Sequence, residues 1–419
     1  MTAYRTLARN RDYAALWTGE AISQLGSSVS MFAFPLVGYA LTGSAVLAGL
    51  PMAAFLLGMV AALLPAGVIV DRSDRKKLML AASGSGVVVY GSVGVAAGLG
   101  VLTIGHLIAA ALLTGVAAGV FGPAETSAVR SVVAQDQLPT ALSQNQARRH
   151  IAELVGGPLG AAMFSASKVL PFVFDAVTFL VSFVSLSRVR TDLSPAPRPR
   201  RRVRADLAEG LRYVWGRPYF RAMMAFGALS NLAVNAVFFV AILRLVQEGV
   251  HPAAIGVIDM LAGLGGILGA LAAPYVIDRL PTGRLTLAVA WSWVPLLVPL
   301  VFWSSPVLVG AMLMMGILLN PAGNAGTQSY RVAITPPELQ GRVGSSMQFV
   351  GMSMMPAAPV LGGFLLDTYG GPAATVGLLV LVTVTALIPT LSVTVRSIPR
   401  PDEWPRPEAP VSAPEPVAA

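Results

Sequence analysis

The chain has 419 residues, of which 55% are hydrophobic and 12% charged, and its mean hydropathy is +0.70. Soluble domains carry about 25% charged residues, so this composition excludes a water-soluble globule and fits a chain solvated by lipid. Cysteine is absent and the three histidines, His106, His150 and His251, are scattered; this excludes a disulfide framework or cysteine nucleophile and predicts no metal site or cofactor.

A bilayer-spanning helix needs about 20 mostly apolar residues. Twelve stretches qualify: 13–41, 44–70, 77–99, 103–128, 140–166, 168–189, 217–247, 252–278, 284–303, 305–331, 339–366 and 372–396. Most are rich in Gly and Ala, which lets membrane helices approach closely. They are too long and too little alternating for barrel strands. The first lacks a cleavage-like end, so it is not read as a removed signal peptide.

Taken in chain order, the first span carries Glu20, Gln24, Ser27 and Met31 on one face. After the second comes Gly67-Val-Ile-Val-Asp71-Arg72-Ser-Asp74-Arg75-Lys76-Lys77. The fifth holds Glu153, one turn from Arg149, and Gly157-Pro158; the sixth holds Asp175. A polar segment, 190–216, starts as a basic run from Pro195 to Arg204 and continues as an amphipathic helix with Leu207, Leu211, Val214 and Trp215 on one face. Such a helix lies along a membrane surface. The seventh span has Asn231, Asn235 and Phe238 on one face, the eighth has Asp259, and the tenth has a stripe of Asn320, Asn324 and Gln328. Methionines gather late, including Met312, Met314, Met315, Met347, Met352, Met354 and Met355, and methionine suits adaptable binding surfaces. Residues 397–419 are Pro-rich without apolar periodicity, and disorder is expected there.

Charge sets the expected orientation. With the N-terminus inside, all of the 29 Lys and Arg except Lys168 and Arg244 fall at cytoplasmic helix ends and loops, as the positive-inside rule requires. The net charge of +9 is thereby read as topology signals beside anionic lipid, with no nucleic-acid partner. Both termini are expected in the cytoplasm.

Internal matches suggest two halves. Asp71-Arg72 and Asp278-Arg279, Arg130 and Arg331, Leu138 and Leu339, Pro158 and Pro359, and Gln24 and Asn231 all lie about 200 positions apart, in corresponding spans. Parallel repeats of six spans are a transporter architecture. The expected fold class is all-α integral membrane, with twelve transmembrane helices in two pseudo-symmetric six-helix bundles. The divisions are 1–189, a linker at 190–216, 217–396 and the tail.

The Gly67–Lys77 segment resembles the signature loop of the major facilitator superfamily, G-x-x-x-D-R-x-G-R-R/K, with Asp74 where the family usually has Gly. Gly157-Pro158-Leu159-Gly160-Ala161-Ala162 resembles the G-P-x-x-G-G motif of its antiporters, with Ala in place of both last glycines. Leu138–Asn145 and Phe172–Phe179 resemble the drug and siderophore exporter branch. The resemblance implies alternating access, with Gly67, Asp71, Arg72 and Arg75 forming a latch at the cytoplasmic gate. In the outward-open state this implies that Asp71 faces the N-terminus of the eleventh helix, whose dipole favours a carboxylate, and that Arg72 and Arg75 bridge the gate.

A charge within the bilayer is costly and functional by default. Glu20, Glu153, Asp175 and Asp259 are therefore proton-coupling candidates, since a buried carboxylate is protonated more easily. The alternatives are an Arg149 pair for Glu153 and helix-to-helix hydrogen bonds for Asp175 and Asp259. The polar stripes are read as walls of a central cavity. The expected function is proton-coupled export of a small, largely apolar molecule by a monomer in the cell membrane. Uptake by the same fold and a non-transporting membrane role remain open. An ATP-driven pump would need a separate subunit, because no G-x-x-x-x-G-K-[ST] loop is present. No clustered nucleophile and base point to an enzyme.

Overall fold

The computed structural model describes residue 7, residues 9–194 and residues 203–404, with the side chains of 64 and 203–207 not described. Most of the basic run at 195–204, and 405–419, lie outside that range. All regular structure among the described residues is helical.

Local chemistry explains where the spans begin. Asn10 caps the first span, Arg11–Thr42, accepting from Asp12 N and Tyr13 N. Ser44 caps the second, Ala45–Arg72, and Thr103 the fourth, Ile104–Val132. Each cap satisfies a backbone N–H that the helix itself leaves unpaired. Asp74 caps the third, Arg75–Gly98, accepting from Lys76 N at 2.9 Å. The residue that departs from the signature loop thus starts the next helix. Proline opens the fifth (Leu138–Ala166), sixth (Leu170–Ser187), seventh (Pro218–Gln247) and eighth (Pro252–Arg279), where its missing N–H costs nothing.

Ten helical stretches are long and apolar enough to cross a membrane. Two facts make this consistent with twelve segments among the described residues. Residues Gln340–Leu391 form one of the ten but break at Gly370, φ 77°, and Leu365 lies against Gly377; the chain turns back there into a hairpin. The fifth span, polar at its start with Gln144, Asn145, Arg148 and Arg149, is not among the ten. The ninth is Thr282–Phe302. The tenth and eleventh are each broken: Pro306–Leu318 meets Asn320–Ile334 beside Pro321, and Gln340–Ser353 stops at Met354–Pro356 before the helix resumes at Ala357. Proline removes a helical N–H and clashes with the preceding turn.

Spans one to six and seven to twelve pack as two halves. In the first, Phe34, Tyr90 and Phe172 stack in the core. In the second, Trp293, Leu313 and Leu378 are buried together. Helix ends carrying most Lys and Arg share one face of the molecule, here the basic face; the opposite one is the far face. On the basic face Asp12 accepts from Thr191 N at 2.7 Å, Lys76 Nζ donates to Val189 O at 2.6 Å, and Leu193 is buried. The linker's first residues, 190–194, are therefore part of the first half.

The linker helix, Val203–Trp215, docks on the second half. Val214 is buried, Trp215 exposed, and Arg342 Nη1 donates to Glu209 at 2.6 Å. The tail expected to be disordered from 397 is packed as far as Trp404. Ile398 is buried, Gly283 N donates to Ile398 O, and the Trp404 ring lies 5.6 Å from Tyr330. An isolated tryptophan and isoleucine suffice to anchor it without any periodic pattern.

Spans two and four approach so closely that the Phe55 carbonyl fills the space of a Gly115 side chain, and a Cβ at Gly119 would fall 2.7 Å from Met59 O. Gly91 faces open space. Gly115→Ala is expected to lose about 1–3 kcal/mol by overpacking, while Gly91→Ala holds or gains stability through helix propensity. Thermal unfolding of the two variants in detergent checks this; equal melting temperatures would contradict it.

Candidate functional site: a charged cavity between two halves

A cavity of about 630 Å³ opens in the middle of the molecule. On the first span, Glu20, Gln24, Ser27 and Met31 line it, because residues four apart share a helix face. Glu153, Asn235, Phe238 and Asp259 line it as well. Its methionines are Met31, Met52 and Met59, not the late cluster singled out in the sequence.

Other residues singled out in the sequence lie elsewhere. Asn231 Nδ2 donates to Gly351 O at 3.0 Å and ties the seventh span to the eleventh. Asn320 sits at the break in the tenth span, while Asn324 and Gln328 are exposed; that span gives the cavity Ile317 instead. The tenth-span stripe is off the cavity because the break re-aims the helix beyond Leu319. Asp175 is fully buried behind the wall, accepting from Thr178 Oγ1 at 3.2 Å and packed on Gly26. Glu153 is half-exposed and pairs with His150 at 3.3 Å rather than with Arg149.

The strongest electrostatic feature joins three spans. Arg148, 3% exposed, donates from Nη2 to Glu125 at 2.7 Å and lies 4.0 Å from Glu20; Asn145 donates to Glu125 at 3.3 Å. Arg148 Nε and Nη1 are buried with no hydrogen-bond partner among the described residues. An arginine fork serves two carboxylates readily, so one guanidinium stands between Glu125 of span four and Glu20 of span one. Neither Glu125 nor Arg148 was singled out in the sequence. Both lie inside stretches read as spans, the signal that marked Glu20.

The two halves are sealed at the far face. Asp367, near the end of the eleventh span, accepts from Ala45 N at 2.8 Å, Val46 N at 3.0 Å and Ser44 Oγ at 2.7 Å. A carboxylate at a helix N-terminus meets both unpaired N–H groups and the positive end of the dipole. A Cβ at Gly49 would fall 2.6 Å from Pro359 O, and one at Gly363 2.5 Å from Ala45 O. Spans five and eight close the other side: Pro158 lies against Gly256, and the Asp259 side chain fills the space a Gly157 side chain would need. Gly157 and Pro158 are therefore seam residues.

The basic ends differ. Asp71 and Arg72 are exposed and, among the described residues, make no side-chain hydrogen bond or ion pair; Gly67 faces open space. Arg75 is buried in its own half, 3.5 Å from Leu193 O and 3.4 Å from Ser131 Oγ. Among the described residues Arg75 makes no bridge to the second half; it meets the docked segment 190–194 and the fourth span instead.

Two helical halves around a central charged cavity, sealed at one face, define a multi-pass membrane transporter. The Major Facilitator Superfamily profile matches residues 16–357 and 224–418, and the chain belongs to that family. It is 27% identical over 386 residues to the multidrug efflux pump Tap of Mycobacterium tuberculosis, covering 87% of this chain and 89% of that one. It is 26% identical over 379 residues to the Tap of Mycolicibacterium fortuitum, covering 85% and 88%. Among solved structures, a bacterial homologue of the iron transporter ferroportin in an inward-facing state superposes with TM-score 0.73 at 15% identity, covering 93% and 99%. An inward-facing, unoccupied bacterial homologue of the lysosomal transporter Spinster superposes at 0.71, 13% identical, covering 93% and 96%.

Removing one partner of a buried ion pair costs about 3–5 kcal/mol, whereas replacing both is often neutral. Glu125→Gln is expected to destabilise the protein on that scale, and Glu125→Gln with Arg148→Met to restore stability. Melting temperatures of the single and double variants decide; a double variant no better than the single would refute the pairing.

Proposed function

We propose that this chain is a proton-coupled exporter of small, largely apolar molecules, working by alternating access as a monomer in the cell membrane with both termini in the cytoplasm. The observation that carries the reading is Glu20, on the cavity wall within reach of an arginine already held by Glu125. The Tap efflux pumps support the direction of transport.

In this reading the basic face is cytoplasmic and the structure is inward-open. Ionised Glu20 draws on the free donors of Arg148 while the cavity is wet. Closure of the basic face removes water, and an ionised Glu20 then becomes costly unless substrate or a proton neutralises it. Substrate carries the protein outward; a proton taken up from outside displaces it and returns the carrier. Arg148 keeps the exchange reversible, because Glu125 holds the guanidinium when Glu20 is neutral. Asp71 serves the basic face as Asp367 serves the far one, each aimed at the N-terminus of the other's helix.

In proteoliposomes with an imposed pH gradient, wild type is expected to accumulate substrate against its gradient. Glu20→Gln, fixed in the protonated form, is expected to keep binding neutral solutes and to lose the pH dependence of flux. Unchanged pH dependence in that variant would move the role to Glu153, Asp175 or Asp259.

The two latches act in opposite senses. Loss of the Asp367 cap in Asp367→Ala costs about 0.5–2 kcal/mol, enough to shift a balanced equilibrium several-fold toward an opening at the far face. Asp71→Asn is expected to shift it toward the basic face. Because the chain lacks cysteine, one introduced by Asn235→Cys reports this by its labelling with an impermeant maleimide from either side. Labelling unaffected by both variants would exclude the latches.

A further inference from the structure

The cavity is not shared evenly between the halves. Helices one to six supply most of its wall, Tyr90 and Thr114 among it. Behind that wall spans one, three, four and six meet at a second polar centre. It consists of Ser30, Tyr90, Thr114, Asp175 and Thr178, none more than 4% exposed. Aromatic rings enclose it: Phe172 and Phe179 stack on Tyr90 at 6.2 and 5.8 Å, and Phe34 stacks on it at 6.4 Å. A missing side chain makes room for the carboxylate, since a Cβ at Gly26 would fall 2.5 Å from Asp175 Oδ1.

The hydrogen bonds of this centre do not close. Thr178 has one hydroxyl hydrogen and shares it between Asp175 O at 2.8 Å and Asp175 Oδ1 at 3.2 Å. Asp175 Oδ2 and Ser30 Oγ are both buried with no hydrogen-bond partner among the described residues. A helical serine often bonds back to the carbonyl one turn earlier, as Ser28 does to Gln24 O at 3.0 Å. Ser30 instead lies beside both Asp175 and Tyr90. Tyr90 is the titratable group that faces Asp175, and among the described residues no basic side chain of these four spans pairs with it. A carboxylate so placed is costly without a counter-charge, and the hydroxyls around it have lone pairs to offer one.

We propose that this centre binds a dehydrated sodium ion, held by Asp175, Ser30, Thr178 and Tyr90 and entering from the cavity past Tyr90 and Thr114. Oxygen donors alone select a hard cation. One carboxylate neutralises a monovalent ion, whereas a divalent one would leave excess charge among aromatic rings. Sodium is close to calcium in size, so its bonds are about 2.4 Å long and neighbouring donors of an octahedral shell stand about 3.4 Å apart. The Asp175–Thr178 and Tyr90–Thr114 oxygen pairs, at 3.2 and 3.4 Å, have that spacing; the larger potassium ion needs a wider one. The bound ion ties span one to spans three and six behind the wall and fixes the tyrosine that the cavity presents.

The test is thermal unfolding of the purified full-length protein in detergent, with sodium, potassium and N-methylglucamine chlorides exchanged at constant ionic strength. Wild type is expected to melt higher as sodium replaces N-methylglucamine, saturating as single-site linkage requires, and to respond far less to potassium. Sodium binds the ionised carboxyl, so protons compete with it and its effect is expected to fade as the pH falls. Asp175→Asn is expected to abolish the sodium response. Ser30→Ala is expected to weaken the apparent sodium affinity about tenfold, the scale of one bond to a charged partner. Glu20→Gln is expected to keep the response, which separates this centre from the cavity carboxylates. Should Asp175→Asn not give monodisperse protein, the wild-type titration and Ser30→Ala decide. Equal responses to all three chlorides, or a sodium response that survives Asp175→Asn, would overturn the site. So would stability that follows pH alone, which marks a protonated Asp175. The site stands or falls on ion binding, so a failure of the exporter reading in flux assays would leave it in place.

Discussion

The Asp367 carboxylate does what no apolar contact could: it ties the two halves together at one face with directed, charge-assisted hydrogen bonds. Its two oxygens take the first free N–H groups of the second span and the Ser44 hydroxyl. Around this cap the glycines at 49 and 363 let backbone meet backbone. Van der Waals contact between helices is modest in lipid, where no hydrophobic force drives them together. A charge-assisted cap adds direction and strength at one point, and the seam follows it. The open basic face and the shape of the cavity both depend on which end of these two helices is joined.

Inside, the ordering principle is scarcity of counter-charge. Burying a guanidinium is costly unless it is paired and hydrogen-bonded. Arg148 meets that condition with Glu125 and Asn145, while leaving two donors unused. Such an arrangement is stable without being saturated, and an unsaturated site can respond to a nearby carboxylate. Seam and charge network meet on the fifth span: Arg148 lies near its basic end, and Gly157 and Pro158 at the seam two to three turns further on.

Much of the fold was legible because lipid imposes one simple demand, length with apolarity, and every span but the polar-ended fifth answered it. Ends were legible where capping residues stand: Asn10, Ser44, Thr103. The breaks at Leu319 and Met354 were not, since a proline two residues away is compatible with either a kink or an intact helix. The cavity was half legible. Glu20, Gln24, Ser27 and Met31 share a face, and helical spacing alone shows it. The Glu125–Arg148 pair was missed because its members are 23 residues apart on different helices, and spacing sees only neighbours on one helix. Asn324 and Gln328 misled for the same reason: a polar stripe shows that a helix has a wet face, without showing what the face meets. Arg75 was read from the family's gate; its contact with the docked segment 190–194 joins residues 118 apart, which spacing along one helix does not show.

The uneven wall divides the labour of the two halves. One half is the vessel and the other the door. A vessel must fit its cargo, so changes in what is carried belong mainly to the first 190 residues. A door must fit its frame, so the second half, though it lends Asn235, Phe238 and Asp259 to the wall, answers chiefly to the seams at Gly157, Pro359 and Asp367. Joining the first half of one such carrier to the second half of another should therefore transfer the choice of cargo with the vessel, provided the door still closes on the new frame.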